Sequence, residues 1–331
     1  MLFSLIIDKN LQVPNNRMIY TINKLYDENV KIVWRLSMKI AFDVDVLAKQ
    51  MRVRDYVYKV ADWGYKYIEQ SPQVQINPFY KHPLFSEDLE QEYRQALKDT
   101  GVEISSFICV YRWSGPTEVQ RQHAVANWKA LIKIAVNMGV QVINTELSGD
   151  PHQPEICNGM FFRSMEELLP IFEREGIRCE IQSHPYDFCE LNDETVDMVN
   201  HFRSDNVKYV YSSPHAFYYD KGKGDFAHQL RYAGKALSHV LFADTMNHTI
   251  DCRYIVNPPG TDAVIHQHTA MGEGEIDFDV IFETLRELDF ANQEFKVGGP
   301  PIACCSYFGY PEKMDKQAVE ARERIERELL G

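Results

Sequence analysis

Residues Val140–Asp150 read VQVINTELSGD. An apolar run carries Glu146 to its end and breaks at once into Ser148, Gly149, Asp150 and Pro151. A short run of buried type that stops at turn residues reads as a strand covered on both faces, the kind found in parallel sheets. Glu146 stands at its C-terminal tip. A carboxylate there is costly to desolvate unless a donor or a cation meets it. Taken alone, Glu146 reads as a strand-end residue capping a neighbouring loop. Its company elsewhere in the chain decides whether it does more.

Outward from that strand the same alternation repeats. Candidate strands fall at 39–43, 65–70, 103–110, 140–147, 177–182, 207–211, 238–243 and 293–298. Amphipathic stretches lie near 53–63, 87–99, 117–138, 164–175, 192–203, 225–235, 277–288 and 312–330. Gly64, Gly101, Gly139 and Gly176 each precede a strand, where glycine commonly closes a helix. Asp277 opens its stretch as an N-cap. Strands joined by helical crossovers are parallel, so eight such units predict an α/β fold, a (β/α)8 TIM barrel. An open doubly wound sheet is the alternative, but no G-x-G-x-x-G or Walker motif supports one. Residues 1–37 show no clean amphipathic period, whereas Met38 opens MKIAFDVDV as a natural first strand. The chain therefore divides into an N-terminal appendage, 1–37, and a barrel, 38–331. The other reading of 1–37 is a hairpin or helix packed on the barrel bottom.

A barrel builds its site from the strand C-termini and the loops after them. Those positions supply Asp43 and Asp45, Glu69, Arg112 and Trp113, Glu146, Glu180 with His184, His215, Asp244 with His248, His266 and His268, and Glu294 with Lys296. Glu146, His215, His266 and His268, with His184 beside them, make a mixed oxygen and nitrogen set. Such a set suits Mn, Zn, Co or Fe rather than calcium. If extended, His266-Gln267-His268 presents both imidazoles on one face. Pro185 and Pro214 stiffen the loops of His184 and His215. Proton handling falls to Glu146, Glu180, His184 and Asp244, and substrate contacts to Asp43, Glu69, Arg112, Trp113 and Lys296. The plainer reading of any one histidine is a hydrogen-bonded loop or core residue. His123, His201 and His228, inside helical stretches, are read that way. Tyr209, Tyr211, Phe217, Tyr218 and Tyr219 are packing first. Gly272-Glu273-Gly274-Glu275 is a turn, because its carboxylates would repel the phosphate that a glycine loop cradles.

Composition narrows the partners. The 331 residues carry a formal net charge of −13 with Lys and Arg scattered, which argues against a nucleic-acid groove and a membrane-surface helix. Seven cysteines without a C-x-x-C pair read as reduced thiols of a cytoplasmic protein. No run reaches transmembrane length, and Leu2–Ile7 lacks the basic flank of a signal peptide.

The stretches MKIAFDVDV, WGYKYIEQSPQ, VQVINTELSGDP, EIQSHP, SHVLFADTMNHT and EFKVGG resemble the sugar phosphate isomerase/epimerase superfamily, the xylose isomerase-like TIM barrels. The likeness covers nearly all of the chain after residue 37, and within the superfamily it is greatest to IolH-type proteins of myo-inositol catabolism. It implies a barrel and a sugar or polyol ligand. It matches the superfamily's strand-four metal glutamate to Glu146. Ser212 stands where the Asp of a strand-six Asp-x-x-His pattern would be, with His215 kept, and Leu241 meets the strand-seven His ahead of Asp244. No strand-eight glutamate is matched; Gly298 and Glu294 lie there. His266-x-His268 is similar to the Asp-x-His segment of the apurinic endonuclease branch.

Three functions compete. The first is a divalent-metal-assisted isomerase, epimerase or lyase acting on a keto-inositol or related sugar, with C-glycoside cleavage beside a partner subunit as a variant. The second is a non-catalytic polyol-binding or partner-subunit barrel. The third is a metal-dependent nuclease, which the acidic chain disfavours. The expected partner is a small sugar or polyol, with no nucleic acid and no membrane, and the chain could form a homo-oligomer.

Overall fold

The protein is seen in a computed structural model that describes residues 38–246, 249–252, 261–264, 267–308 and 311–331. Residues 1–37, expected to be an appendage, and His248 and His266 lie outside the described residues. Strands β1 (Lys39–Asp43), β2 (Tyr67–Gln70), β3 (Glu103–Cys109), β4 (Val142–Glu146), β5 (Arg178–Gln182), β6 (Val207–Ser212) and β7 (Leu237–Phe242) follow one another. An antiparallel hairpin, β8 (Thr249–Cys252) and β9 (Thr261–Val264), comes next, and β10 (Ile302–Cys305) completes the barrel. The closed order is β1-β10-β7-β6-β5-β4-β3-β2, all parallel. This is the expected TIM barrel.

Most strands alternate in facing, with irregularities where β2 meets β3 and β6 meets β7, which is how one sequence fills two layers. Ala41, Val142, Val210, Leu241, Ile302 and Cys304 pack inside the barrel. Their neighbours Phe42, Ile143, Ala303 and Phe242 join the larger core. Local signals set the helices. Helix 118–138 opens on a reciprocal Thr117–Gln120 capping box and closes on Gly139 at φ 74°. Asp277 accepts from Asp279 N and Val280 N, as its N-cap position predicts. The helix expected from 164 begins ten residues sooner, because Pro154 sits in its first turn, where a missing N–H costs nothing.

One strand was misplaced by sequence. The eighth barrel strand is not 293–298 but Ile302–Cys305, paired with β1 and β7. A strand paired on both edges with both faces covered usually reads as a near-continuous apolar run, which Glu294 and Lys296 interrupt at 293–298. All four residues of Ile302–Cys305 are buried. Lys296, expected to touch substrate, instead pairs with Asp205 at 2.6 Å with its side chain 81% exposed. Arg178, at the start of β5, donates to Val297 O and Gly299 O at 2.9 Å each, which fixes that segment at the N-terminal end of the barrel. Ser306 follows β10 at the rim.

Candidate metal centre

Below the rim a charged chain runs across the barrel interior. Arg178 Nε donates to Glu180 Oε1 at 2.7 Å, and His239 Nδ1 contacts Glu180 Oε2 at 2.8 Å. His239 Nε2 faces Glu69 Oε2 at 3.5 Å, and Ser106 Oγ donates to that oxygen at 2.6 Å. Arg178, Glu180, His239 and Glu69 are fully buried. Burial alone would raise the Glu180 carboxyl, but Arg178 and His239 hold it down at about 2. Glu180 and Glu69, expected at the rim, therefore serve the barrel's inner packing. Both point inward one layer below the strand tips, where opposite charge meets them.

Three other rim candidates also move. Asp244 is buried and accepts from Thr245 N, Gly272 N and Ile276 N at 2.9, 2.8 and 3.1 Å. Its carboxylate staples the 269–276 loop rather than handling a proton. Gly274 is required there, since a Cβ would stand 2.3 Å from Asp244 Oδ1. Trp113 is buried against Trp128 at 4.9 Å and donates Nε1 to Glu146 O at 2.9 Å, so it braces Glu146 from the core side and touches no ligand space. Asp43 stays at the rim. It accepts from Ser71, from Ser306 at 2.8 Å and from Asp45 N at 3.0 Å. Burial, with Asp45 and Glu69 adding, pushes it to about 7.

Above that layer the structure gathers Glu146, His184, His215 and His268, with Asp187, which sequence reasoning missed. Each imidazole aims Nδ1 at a backbone carbonyl: His184 at Pro185 O (2.7 Å), His215 at Ser183 O (3.2 Å), His268 at Ser306 O (2.7 Å). A carbonyl can only accept, so each Nδ1 carries the proton and Nε2 of a neutral ring is an acceptor. His215 Nε2 and His268 Nε2 nevertheless face each other at 3.1 Å. His184 packs on His215 at 4.8 Å between ring centroids and turns Nε2 toward Glu146 Oε1 at 3.6 Å. Glu146, His184 and Asp187 each offer a ligand atom within 4.8 Å of the others. Phe308 stacks on His268 at 4.8 Å and donates its N–H to His268 O at 2.6 Å.

Two acceptors at 3.1 Å need a cation between them, either a proton or a metal ion. Two nitrogens bound to one ion at about 2.0–2.1 Å stand roughly 2.9–3.4 Å apart between right-angle and tetrahedral geometry, so the spacing fits. The electrostatics agree. Burial pushes Glu146 up to about 8, and burial with the Glu146 charge pushes Asp187 to about 8. Burial lowers His184 and takes His268 down to about 4. Asp187 Oδ2 is buried with no hydrogen-bond partner among the described residues. Carboxylates reluctant to ionise beside rings reluctant to protonate mark a place short of positive charge. The donor set fits a divalent ion, and the Nδ1–carbonyl bonds are the usual outer support of ligating histidines.

A cleft of about 370 Å³ opens beside the cluster, lined by Glu146, His184 and Asp187 with Tyr80, Arg112 and Tyr186 among others. A larger one of about 490 Å³, between the 270–273 loop and the C-terminal helix, holds none of these groups. Among the described residues no helix is long and apolar enough to cross a membrane.

Fold and rim together define a class. Residues 57–324 match the family of xylose isomerase-like TIM barrels, and the chain belongs to it. Solved structures agree on the fold. D-psicose 3-epimerase from Clostridium cellulolyticum H10, solved with D-tagatose, is similar at TM-score 0.67 and 15% identity, over 88% of this chain and 99% of that one. IOLI protein with a bound zinc atom is similar at 0.63 and 16%, over 88% and 98%. The 3-keto-D-glucoside 4-epimerase of E. coli follows at 0.64 and 14%, over 88% and 99%. No curated protein matches the chain by sequence.

Proposed function

We propose that this protein is a divalent-metal-assisted sugar isomerase or epimerase, with a keto-inositol or related keto-sugar as substrate. The observation that carries the proposal is the Glu146–His184–Asp187 group, whose ligand atoms lie within 4.8 Å of one another, with His215 and His268 packed beside it. Family membership and the sugar-epimerase neighbours support the reaction class. The inositol ring is the finer reading and rests on the IolH-type resemblance.

Glu146 and His184 would hold the ion, with the stacked His215 and His268 beside them. A divalent ion there supplies charge stabilisation for an oxygen that becomes negative when a neighbouring carbon loses its proton. The protein's own groups do the rest. Ser306 and Ser183 carbonyls fix the rings of His268 and His215, so their Nε2 atoms stay aimed. Trp113, bonded to Glu146 O, seals the core side against water. Asp187, whose Oδ2 makes no hydrogen bond among the described residues, is the carboxylate best placed to take a carbon-bound proton and return it.

The test is hydrogen exchange. The Mn²⁺-loaded protein is expected to wash deuterium from D₂O into 2-keto-myo-inositol at the carbon next to the carbonyl. Glu146→Ala should abolish the exchange, and Asp187→Asn should slow it by roughly 10²–10⁴-fold. A second reading, a polyol-binding barrel without chemistry, draws on Ser212 at the tip of β6, where the resemblance places an aspartate, and on the strand-eight glutamate that the resemblance leaves unmatched. Bound metal with no exchange across several keto-polyols would favour it.

A further inference from the structure

Three loops meet at the mouth of the 370 Å³ cleft: Tyr80 from the loop after β2, Arg112 from the one after β3, Tyr186 from the one after β5. Both tyrosines reach solvent, at 46% and 53% exposure. Both also hold left-handed backbone, φ 53° and 65°. That conformation costs a bulky residue about 1–2 kcal/mol and persists only where its surroundings impose it. The surroundings here do. Tyr186 N–H donates to Glu190 Oε1 at 2.6 Å and Tyr80 N–H to Val110 O at 3.1 Å. Burying the rings is not what the strain achieves, since they stay wet. It presents two aromatic faces at the wall of the cleft.

Between them stands a cation. The Arg112 guanidinium lies 4.8 Å from the Tyr80 ring centroid and makes one long bond, 3.4 Å, to Gly149 O. Among the described residues no carboxylate comes within ion-pair distance of it. Asp150, which shares the cleft, is occupied by His152 N at 2.9 Å and Gln153 Nε2 at 2.7 Å. An arginine held flat by an aromatic ring, with donors to spare, is preorganised for a planar or tetrahedral oxyanion.

We propose that Tyr80, Arg112 and Tyr186 form a subsite for an acidic sugar, a carboxylate or phosphate ester. Its anionic group lies on Arg112, its C–H face against the tyrosines, and its reacting carbons toward Glu146 and His184. The proposal takes the cleft to be the substrate site of the function above. The aromatic faces take the ring's apolar side out of water.

Calorimetric titration of the full-length, Mn²⁺-loaded protein with D-glucuronate, D-glucose 6-phosphate and D-glucose tests it. At least one anionic probe is expected to bind roughly tenfold to hundredfold tighter than D-glucose, the range of a hydrogen bond to a charged group. Tighter glucuronate would identify a carboxylate, tighter glucose 6-phosphate a phosphate. Arg112→Gln should erase the preference while bound metal and D-glucose affinity stay unchanged. Tyr186→Gly, which relaxes the backbone, should weaken all three probes. Equal affinities, no binding of either anion, or a preference that survives Arg112→Gln would overturn the proposal. A wild type that keeps its anion preference yet binds no metal would overturn the metal reading and leave this subsite standing.

Discussion

Two clusters of the same residue types sit one above the other in this barrel, and they differ in one respect. The inner chain Arg178–Glu180–His239–Glu69 alternates in charge, and Arg178 and His239 hold the Glu180 carboxyl down against its burial, although burial still raises Glu69. In the rim cluster Glu146–Asp187–His184–His215–His268 burial wins instead, so the carboxyls of Glu146 and Asp187 rise and the rings of His184 and His268 fall. Acids and imidazoles that complete one another stabilise a fold. Acids and imidazoles that share a deficit of positive charge are built for something that arrives. β5 shows both cases within a few residues, with Glu180 in the satisfied layer and His184 just past the strand end in the deficient one.

Breaking the inner chain should have the largest effect on stability. Arg178→Met leaves the Glu180 carboxylate buried without its cation, a loss of about 3–5 kcal/mol for a broken buried pair. A large fall in the urea midpoint is the expected outcome, and a midpoint within experimental scatter of wild type would show that the chain is not what holds the interior. His268→Ala should do the reverse. It removes a ring whose Nε2 faces another acceptor, so unfolding of the metal-free protein should shift little while metal binding falls.

A smaller effect separates the clusters by pH. Glu146 and Asp187 are raised to about 8, above the usual carboxyl values near 4 that they would have unfolded. Between those values the folded, metal-free protein binds more protons than the unfolded chain, so its stability falls as pH rises. Its melting temperature is therefore expected to drop from pH 6 to pH 8.5, with Asp43 at about 7 adding to the fall, and Mn²⁺ or Zn²⁺ should remove the share that belongs to Glu146 and Asp187. Glu180 is lowered to about 2 and contributes no slope in this window. The smallest effect belongs to Lys296→Ala. An exposed pair with Asp205 is worth at most about 1 kcal/mol, and exchange activity should be unchanged.

The sequence carried the barrel because alternating strands and capped helices are local signals. The four residues of β10 carried too little text to outweigh the longer run at 293–298, where Phe295 and Val297 alternate with Glu294 and Lys296. For the site, the gathering of Glu146, His184, His215 and His268 was legible as rim position plus residue type. Asp187 was not. It reaches the cluster through a turn in which Asp187 N–H donates to His184 O at 3.4 Å and Tyr186 takes a left-handed φ, and neither leaves a mark in the residue order. Glu69 and Glu180 were misread for a different reason. Whether an inward glutamate lies at the tip or one layer down depends on where its strand ends, the least certain feature of any strand read from sequence. Asp244 was misread because backbone N–H partners from a distant loop cannot be seen along the chain.

The most direct test of the difference between the two clusters is metal content. The full-length protein, purified without chelator and titrated at pH 8, is expected to bind about one divalent ion per chain at the ligand set described. Glu146→Gln and His268→Ala should each weaken that binding by roughly 10–100-fold or more, while Glu69→Gln in the inner chain should leave it unchanged. A wild type that binds no ion, or full occupancy in both rim variants, would contradict the assignment of the rim cluster as a metal centre.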